Sequence, residues 1–198
     1  MNRIYTVRND TQKYTQKDIL LEIKECVDML QEMGYLFLNE YTVNISKDLG
    51  IHTLGSCRRL GRNIDTNATM FLISINYTYL RNSKPNEVHN TIMHEVIHSI
   101  PGCYNHGQKW KSIGKQVCSR YTDYIITRVS TSENEGFYNA MAAEGKYKYK
   151  IVCEKCGATG YMARATATLS ACRNGKAKCR KCHGTKFTVI DLKQNGRI

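Results

Sequence analysis

Apolar residues recur with helical spacing near the start of the chain. The stripe consists of Ile19, Leu20, Ile23, Val27 and Leu30. Residues three and four apart share one face of a helix, so this spacing predicts an amphipathic helix. Thr15 and Asp18 have the spacing of a capping box at its start, and Gly34 suits its end.

Three stretches that follow are predicted to be strands. Residues 41–46, YTVNIS, alternate between polar and apolar side chains, and residues 54–63, LGSCRRLGRN, indicate a strand entering a turn. Residues 69–80, TMFLISINYTYL, are rich in the β-branched and aromatic residues that strands favour.

Two helices are predicted on either side of a Pro-Gly break. Residues 81–90, RNSKPNEVHN, supply capping residues and an early proline, so a helix should begin near position 84. It should run to about Ser99, because Pro101 and Gly102 cannot continue it. A second helix is predicted over residues 107–121. Its buried face would consist of Trp110, Ile113 and Val117.

The last third of the chain has a different composition. Residues 131–146 are polar and contain glycine in parts, which favours a linker, and their helix-forming centre is compatible with a short helix. From position 147 the chain shows short strands, turns and paired cysteines. The predicted organisation is a domain over 1–130, a linker over 131–146 and a small module over 147–198.

The basic charge is concentrated in that last module. The 198 residues carry 29 Lys and Arg against 17 Asp and Glu, a net charge of +12. Residues 146–198 carry 13 against 2, a net of +11, whereas residues 1–145 carry 16 against 15, a net of +1. This asymmetry predicts a module for nucleic acid or another polyanion, attached to a near-neutral body.

The cysteine content and the first residues of the chain indicate the cellular compartment in which the protein is expected. The first ten residues, MNRIYTVRND, lack the apolar core of a secretory signal. The nine cysteines are therefore better explained by metal binding or free thiols than by disulfides. No apolar run approaches the roughly 18 residues of a membrane-spanning helix. We expect a monomeric cytoplasmic protein, associated with a nucleoid or lying in host-cell cytoplasm, that does not enter a membrane.

The helix predicted over 84–99 carries the motif H-E-x-x-H. His94 and His98 are four residues apart, so both imidazoles lie on one face and can bind the same zinc ion. Glu95 lies about 100° around the helix from His94 and can act as general base on a water at the metal. His106, beyond the Pro-Gly break, is the best candidate for a third ligand. The alternative for His106 is a polar loop residue that caps the next helix.

Other zinc-site patterns can be compared with the same stretch. The metzincin spacing requires glycine at position 101 and histidine at 104, where this chain has Pro101 and Tyr104, so it is excluded. A gluzincin-like site would take an acidic ligand from a following helix, and Asp123 lies at a plausible distance. A closed, structural site would need a fourth ligand, for which Cys103 is a candidate.

Two C-x-x-C pairs predict a second metal site. The ligands would be Cys153, Cys156, Cys179 and Cys182. Four thiolates at this spacing form a tetrahedral structural zinc site, and a hairpin over residues 160–169, GYMARATATL, would fill the gap between the pairs. Cys172 and His183 are alternative ligands that lack the paired spacing. The module would hardly fold without a metal, because it has few core residues.

Basic residues surround these cysteines. They are Lys146, Lys148, Lys150, Arg164, Arg173, Lys176, Lys178, Arg180, Lys181 and Lys186. Lysine and arginine neutralise phosphates, and aromatic rings can stack on unpaired bases. The aromatic candidates are Tyr147, Tyr149, Tyr161 and Phe187. The alternative is a solvated basic face over a core that contains tyrosines. Arg58, Arg59 and Arg62 form a second candidate patch.

The combination of these motifs resembles the SprT-like metalloproteases. The resemblance rests on HEVIH, then HGQKW, then the basic C-x-x-C pairs, with LGSCRRLGRN and FLISINYTYL upstream, and it spans roughly residues 15–190. It implies an α+β fold, with a zincin-like metalloprotease domain of helices and a small sheet followed by a small β zinc ribbon. It also implies one catalytic zinc ion on His94, His98 and His106, and one structural zinc ion.

The resemblance also implies a function. The family includes Spartan-type proteases, which act on proteins crosslinked to DNA and whose cleavage DNA binding promotes. We therefore expect a zinc-dependent endopeptidase whose partners are DNA, single-stranded or with single-stranded features, and proteins bound to it. Two alternatives stay open at this point: a non-proteolytic nucleic-acid-binding regulator with two structural zinc ions, and a metalloprotease that acts independently of DNA.

Overall fold

The computed structural model describes residues 14–127 and 134–192, whose contacts group them into two units, one in each range. The elements of the first unit are α1 (Gln16–Glu32), β1 (Asn39–Ser46), β2 (Gly55–Arg62), β3 (Thr69–Asn76), α2 (Tyr77–Asn82), α3 (Pro85–His98) and α4 (Gln108–Arg120). The elements of the second unit are α5 (Glu135–Ala143), β4 (Tyr149–Cys153), β5 (Thr159–Met162), α6 (Ala167–Arg173) and β6 (Phe187–Asp191). The predicted α+β class is confirmed.

Helix α1 begins as its sequence predicts. The Thr15 hydroxyl accepts the N–H of Asp18 at 3.2 Å, and the Asp18 carboxylate accepts the N–H of Thr15 at 2.8 Å, which completes the capping box. Gly34, at φ +89°, turns the chain after the helix. The buried face consists of Ile19, Ile23, Cys26, Met29 and Leu30. It packs against α3, whereas Leu20 of the predicted stripe is exposed.

The three-stranded sheet of the first unit has the order β1-β3-β2. Strand β3 is parallel to β1 and antiparallel to β2, so it is central, and Ile73 and Ile75 are fully buried. The prediction of a strand over 69–80 is wrong after position 76. The Asn76 side chain accepts the N–H of Tyr79 at 3.1 Å and caps α2, so this local hydrogen bond starts a helix despite the strand propensity of the tyrosines.

Helices α3 and α4 confirm the two helices predicted around the Pro-Gly break. Pro85 is the first residue of α3, where its missing N–H costs nothing, and the helix ends at His98. Gly102, at φ +81°, reverses the chain before α4 begins. The face of α4 that faces the core contains Trp110, Ile113 and Val117, as predicted.

The second unit is built on an antiparallel sheet with the order β5-β4-β6. The predicted hairpin over 160–169 is wrong in its second half. Thr166 caps α6 by accepting the N–H of Leu169 at 3.3 Å, so helix α6 follows β5. Leu169 and Cys172 of this helix then form a small core with Ile151.

The predicted linker, residues 131–146, includes helix α5. The contacts of α5 belong to the second unit, where Lys150 of β4 lies 3.5 Å from the Glu135 carboxylate. The domain limits at 130 and 147 stay a prediction. Among the helices that the structure describes, none combines the length and the apolar composition needed to cross a bilayer.

Candidate metal centres

Three histidines converge in the first unit. The spacing on α3 places the rings of His94 and His98 5.0 Å apart, centroid to centroid. The turn at Gly102 brings His106 back to them, so that its Nε2 lies 2.9 Å from Nε2 of His94 and 3.1 Å from Nε2 of His98. The three ring nitrogens are therefore close enough to hold one metal ion.

The return loop is held by polar contacts of its own. The N–H of Cys103 bonds the carbonyl of Ile100 at 2.9 Å, and Lys109 of α4 donates to the carbonyl of Pro101 at 2.7 Å. The side chain of Asn105 accepts the N–H of Gly107 at 2.9 Å, immediately before α4. These bonds define the short path between the two helices and so the position of His106.

Hydrogen bonds at the opposite ring nitrogens determine the tautomers of two histidines. Nδ1 of His94 lies 2.9 Å from the carbonyl of Thr127, and Nδ1 of His98 lies 2.7 Å from the carbonyl of Cys103. A carbonyl can only accept, so both Nδ1 atoms carry the hydrogen and both Nε2 atoms present lone pairs. Backbone carbonyls commonly orient metal-binding histidines in this way.

The chemistry of the group fits a cation. Burial, followed by the neighbouring His98 and His106, lowers the pKa of His94 to about 3, and burial also lowers the pKa of His98. The rings of His94 and His98 are therefore neutral near pH 7. A hydrogen on Nε2 of His106 could satisfy only one of the two facing lone pairs, whereas a metal ion satisfies all three nitrogens. Tetrahedral zinc with bonds of about 2.0–2.1 Å would place them about 3.3 Å apart, close to the observed distances.

No fourth protein ligand joins this group among the described residues. Asp123 and Cys103, the candidates for a gluzincin-like or a closed site, lie outside it. Three protein ligands with a remaining open position are typical of catalytic zinc sites, whereas structural sites use four.

Trp110 of α4 packs against the rings of all three histidines. The indole centroid lies 4.6 Å from the rings of His94 and His106 and 5.4 Å from that of His98, which it stacks on at 26°. The sequence predicted a buried position for Trp110 but not this contact, although its spacing of four residues from His106 was an available signal. Because it is the chain's single tryptophan, its fluorescence should report on this site.

Glu95 is buried between α3 and β2. Its side chain is 6% exposed, and burial raises the pKa of its carboxyl to about 8. A divalent cation on the adjacent histidines would act in the opposite direction, because it favours the ionised carboxylate. A Cβ at Gly55 would lie 3.1 Å from Oε1 of Glu95 and 3.0 Å from its Cγ. Gly55 therefore provides the space that this carboxylate occupies, which sequence reasoning did not identify.

Four thiols converge in the second unit. The Sγ atoms of Cys153 and Cys182 lie 3.6 Å apart, and those of Cys156 and Cys179 lie 3.7 Å apart. Zn–S bonds of about 2.3 Å in a tetrahedron would place the sulfurs about 3.8 Å apart, so the group fits a structural zinc ion. Backbone N–H groups of Cys182 and then Lys181 lower the pKa of the Cys179 thiol, which favours the thiolate that binds metal.

The two C-x-x-C turns have the same backbone hydrogen bond and the same backbone conformation. The N–H of Gly157 bonds the carbonyl of Cys153 at 2.8 Å, and the N–H of His183 bonds the carbonyl of Cys179 at 2.9 Å. Both residues are in the left-handed region, with φ +70° for Gly157 and +58° for His183. His183 is thus a turn residue and Cys172 a core residue, and neither joins the four thiols.

The predicted basic residues are placed mainly on the surface of the second unit. The exposed ones are Lys146, Arg164, Arg173, Lys176, Lys178, Arg180, Lys181 and Lys186. Lys148 and Lys150 are half-buried, and Lys150 lies over the ring of Tyr161 at 5.5 Å. Tyr147 is 1% exposed, so it packs in the unit and is not accessible for stacking on a base, whereas Tyr149, Tyr161 and Phe187 are half-buried.

Comparison with known proteins identifies the first unit. The model of the SprT-like family matches residues 23–130, just over half of the chain. This match includes β1 to α4 and all three histidines. A search of the curated proteins found no match.

Replacing Cys179 and replacing His183 should have opposite effects. Cys179→Ser should remove the metal from the four-thiol site and unfold the second unit, because metal binding supplies its folding free energy. His183→Gly should keep the metal and raise stability by up to about 1 kcal/mol, since glycine adopts the left-handed conformation without strain. Metal content by mass spectrometry of the intact protein and thermal unfolding measure both effects. Loss of one metal ion in His183→Gly would contradict the four-thiol assignment.

Proposed function

This chain belongs to the SprT-like family, and we propose that it is a zinc-dependent endopeptidase that cleaves proteins associated with or crosslinked to DNA. The observation that carries the proposal is the group of three histidines without a fourth protein ligand among the described residues, next to a buried glutamate on the same helix. A zinc site with an open position and a neighbouring carboxylate has the components for peptide hydrolysis.

In the proposed mechanism His94, His98 and His106 hold the zinc ion. When bound, the ion acts as a Lewis acid that polarises the scissile carbonyl and acidifies water. Glu95 takes a proton from the water that attacks the carbonyl carbon. It then gives this proton to the amide nitrogen as the C–N bond breaks, so the products are a carboxylic acid and an amine.

The position of β2 supports a peptide as the substrate. Among the described strands β2 pairs with β3 only, so its other edge has no partner strand. An extended peptide can add to such an edge through main-chain hydrogen bonds. Gly55, at the start of β2, packs against Glu95, so a peptide on this edge would pass close to the proposed base.

The second unit supports DNA as the partner. Most of its predicted basic side chains are exposed and therefore accessible to phosphates. The half-buried Tyr149 and Tyr161 have Arg173 and Lys150 over their rings at 5.7 and 5.5 Å, a mixture of aromatic and cationic groups suited to unpaired bases. In this proposal DNA brings the protease to proteins that are bound to the same strand.

Glu95→Gln should abolish proteolysis and leave both metal sites loaded. The amide has nearly the same shape but cannot accept the proton, so the cleavage rate should fall by at least about 100-fold. The assay follows cleavage of a basic DNA-binding protein with and without single-stranded DNA, with parent and variant side by side.

The outcomes of this assay separate the three candidate functions. Cleavage by the parent that depends on DNA supports the proposal. Cleavage that ignores DNA would favour a DNA-independent metalloprotease. DNA binding without cleavage by the parent would favour a regulator, and a Glu95→Gln variant as fast as the parent would refute the role of Glu95.

Gly55→Ala should slow proteolysis by displacing Glu95. The added Cβ would lie 3.0–3.1 Å from atoms of Glu95 and Thr91, so the carboxylate must shift. We expect kcat to fall by about 10-fold or more with a smaller change in KM, because misplacing a reacting group lowers the rate of the chemical step. Gly160→Ala is the matched control, since its Cβ would meet no atom within 4 Å. Equal kcat values for the two variants would contradict the prediction.

DNA affinity should depend on the charges of the second unit. Replacing Lys176, Lys178 and Arg180 with alanine should weaken DNA binding and lower the slope of log affinity against log salt by about 1 for each phosphate that is no longer neutralised. The comparison variant replaces Arg58, Arg59 and Arg62, the three exposed arginines of β2. Fluorescence anisotropy with labelled single-stranded DNA at several salt concentrations measures both. A larger effect of the β2 variant would place the DNA-binding surface on the first unit.

A further inference from the structure

The segment after α4, residues 121–127, supplies one contact of the metal site and is held in place along its length. We call this segment the strap. Its last residue, Thr127, offers the carbonyl to which Nδ1 of His94 donates. Upstream, the N–H of Ile125 bonds the side chain of Asn90 at 2.8 Å, and the N–H of Ile126 bonds Sγ of Cys118 at 3.2 Å. The strap therefore lies across α3 and α4 and ends at a metal ligand.

The anchor of the strap is the buried side chain of Tyr124. Tyr124 is 2% exposed, and its hydroxyl is bonded to Nε2 of His89 and lies 3.5 Å from Sδ of Met29. Nδ1 of His89 lies 3.2 Å from a carboxylate oxygen of Glu22, and the two side chains are 16% and 14% exposed. A carboxylate accepts a hydrogen, so Nδ1 of His89 donates to Glu22, and Nε2 of His89 is bonded to the tyrosine hydroxyl.

The residues that bond the strap, His89 and Asn90, are on the same helix as the metal ligand His94. They contact the strap about one helical turn before His94, whose Nδ1 donates to the Thr127 carbonyl of the strap. Gly114 of α4 allows the close approach from the other side, because a Cβ there would lie 3.1 Å from the side chain of Ile126. A shift of the strap would move the Thr127 carbonyl away from His94 while leaving α3 intact.

We propose that Glu22, His89 and Tyr124 are positioning residues for the metal ligand His94. They hold the strap so that the Thr127 carbonyl keeps the hydrogen of His94 on Nδ1 and leaves Nε2 for the metal. The inference rests on the metal-binding part of the proposed function and does not depend on peptide hydrolysis. Partners of this kind typically change metal affinity by about 10–100-fold.

The test compares Tyr124→Phe with Tyr121→Phe in the full chain. Tyr124→Phe removes a hydroxyl that bonds His89, whereas the Tyr121 hydroxyl is buried with no hydrogen-bond partner in the described structure. Cobalt(II) is the probe. Bound cobalt quenches the fluorescence of a nearby indole, so Trp110 reports on the three-histidine site. The absorption of cobalt bound to thiolates reports separately on the four-cysteine site. Affinity and the rate of loss to a chelator are measured for each protein.

We expect Tyr124→Phe to bind cobalt at the three-histidine site about 10–100-fold more weakly and to lose it correspondingly faster. Tyr121→Phe should match the parent within about twofold, and the thiolate absorption should be the same in all proteins. Long-range proton–nitrogen spectra of the apo proteins should show the Nδ1–H tautomer of His94 in the parent and a mixture of tautomers in Tyr124→Phe.

A second variant separates positioning from general loss of packing. Asn90→Ala removes the acceptor of the Ile125 N–H from a half-buried position and leaves Tyr124 in place. Like Tyr124→Phe, it should weaken cobalt binding. It should not lower the unfolding temperature of the metal-free protein in the way that a substitution in the core would. Parental affinity and dissociation rate in both Tyr124→Phe and Asn90→Ala would overturn the inference. If Trp110 of the parent itself does not respond to cobalt or zinc, the proposed metal site fails, and the inference with it.

Discussion

Three imidazole nitrogens face one another at about hydrogen-bond distance in the first unit, and much of that unit is arranged around them. His94 and His98 donate Nδ1–H to backbone carbonyls, so their Nε2 lone pairs point at His106. A cation between the nitrogens would satisfy all three of them at once. Helix α3 supplies two rings, the turn at Gly102 returns the third, and the strap and the loop supply the carbonyls that orient them.

The same helix keeps the ligands and the carboxylate on different faces. His94 and His98 lie against Trp110 of α4, whereas Glu95 is turned towards β2, where Gly55 leaves room for it. Burying a carboxylate without a paired cation is unfavourable, and the raised pKa of Glu95 expresses this cost. Such local conflicts between burial and charge cluster at functional sites, which is consistent with the role proposed for Glu95.

We expect the second unit to depend on a metal ion at its four thiols for a different reason. Its buried apolar side chains are the cluster of Ile151, Leu169 and Cys172, together with Phe137, Met141 and Tyr147. This is a small core for a unit of some sixty residues. The four thiols connect the two C-x-x-C turns, which are far apart in the sequence of this unit. The basic side chains stay at the surface and contribute little to folding, so they remain available to a polyanion.

Features that depend on local spacing could be predicted from the amino-acid sequence alone: the capping box of α1, helices α3 and α4, the H-E-x-x-H pair and the two C-x-x-C pairs. The prediction failed at residues 77–80 and in the second half of 160–169, where single side-chain caps at Asn76 and Thr166 start helices in strand-like stretches. Packing between distant segments selected which groups meet. It brought His106 rather than Asp123 to the metal group, and it placed three further contacts at the site: Trp110, Gly55 and the Thr127 carbonyl. These contacts join separate elements through packing, and no periodicity along the chain encodes those of Gly55 and the Thr127 carbonyl.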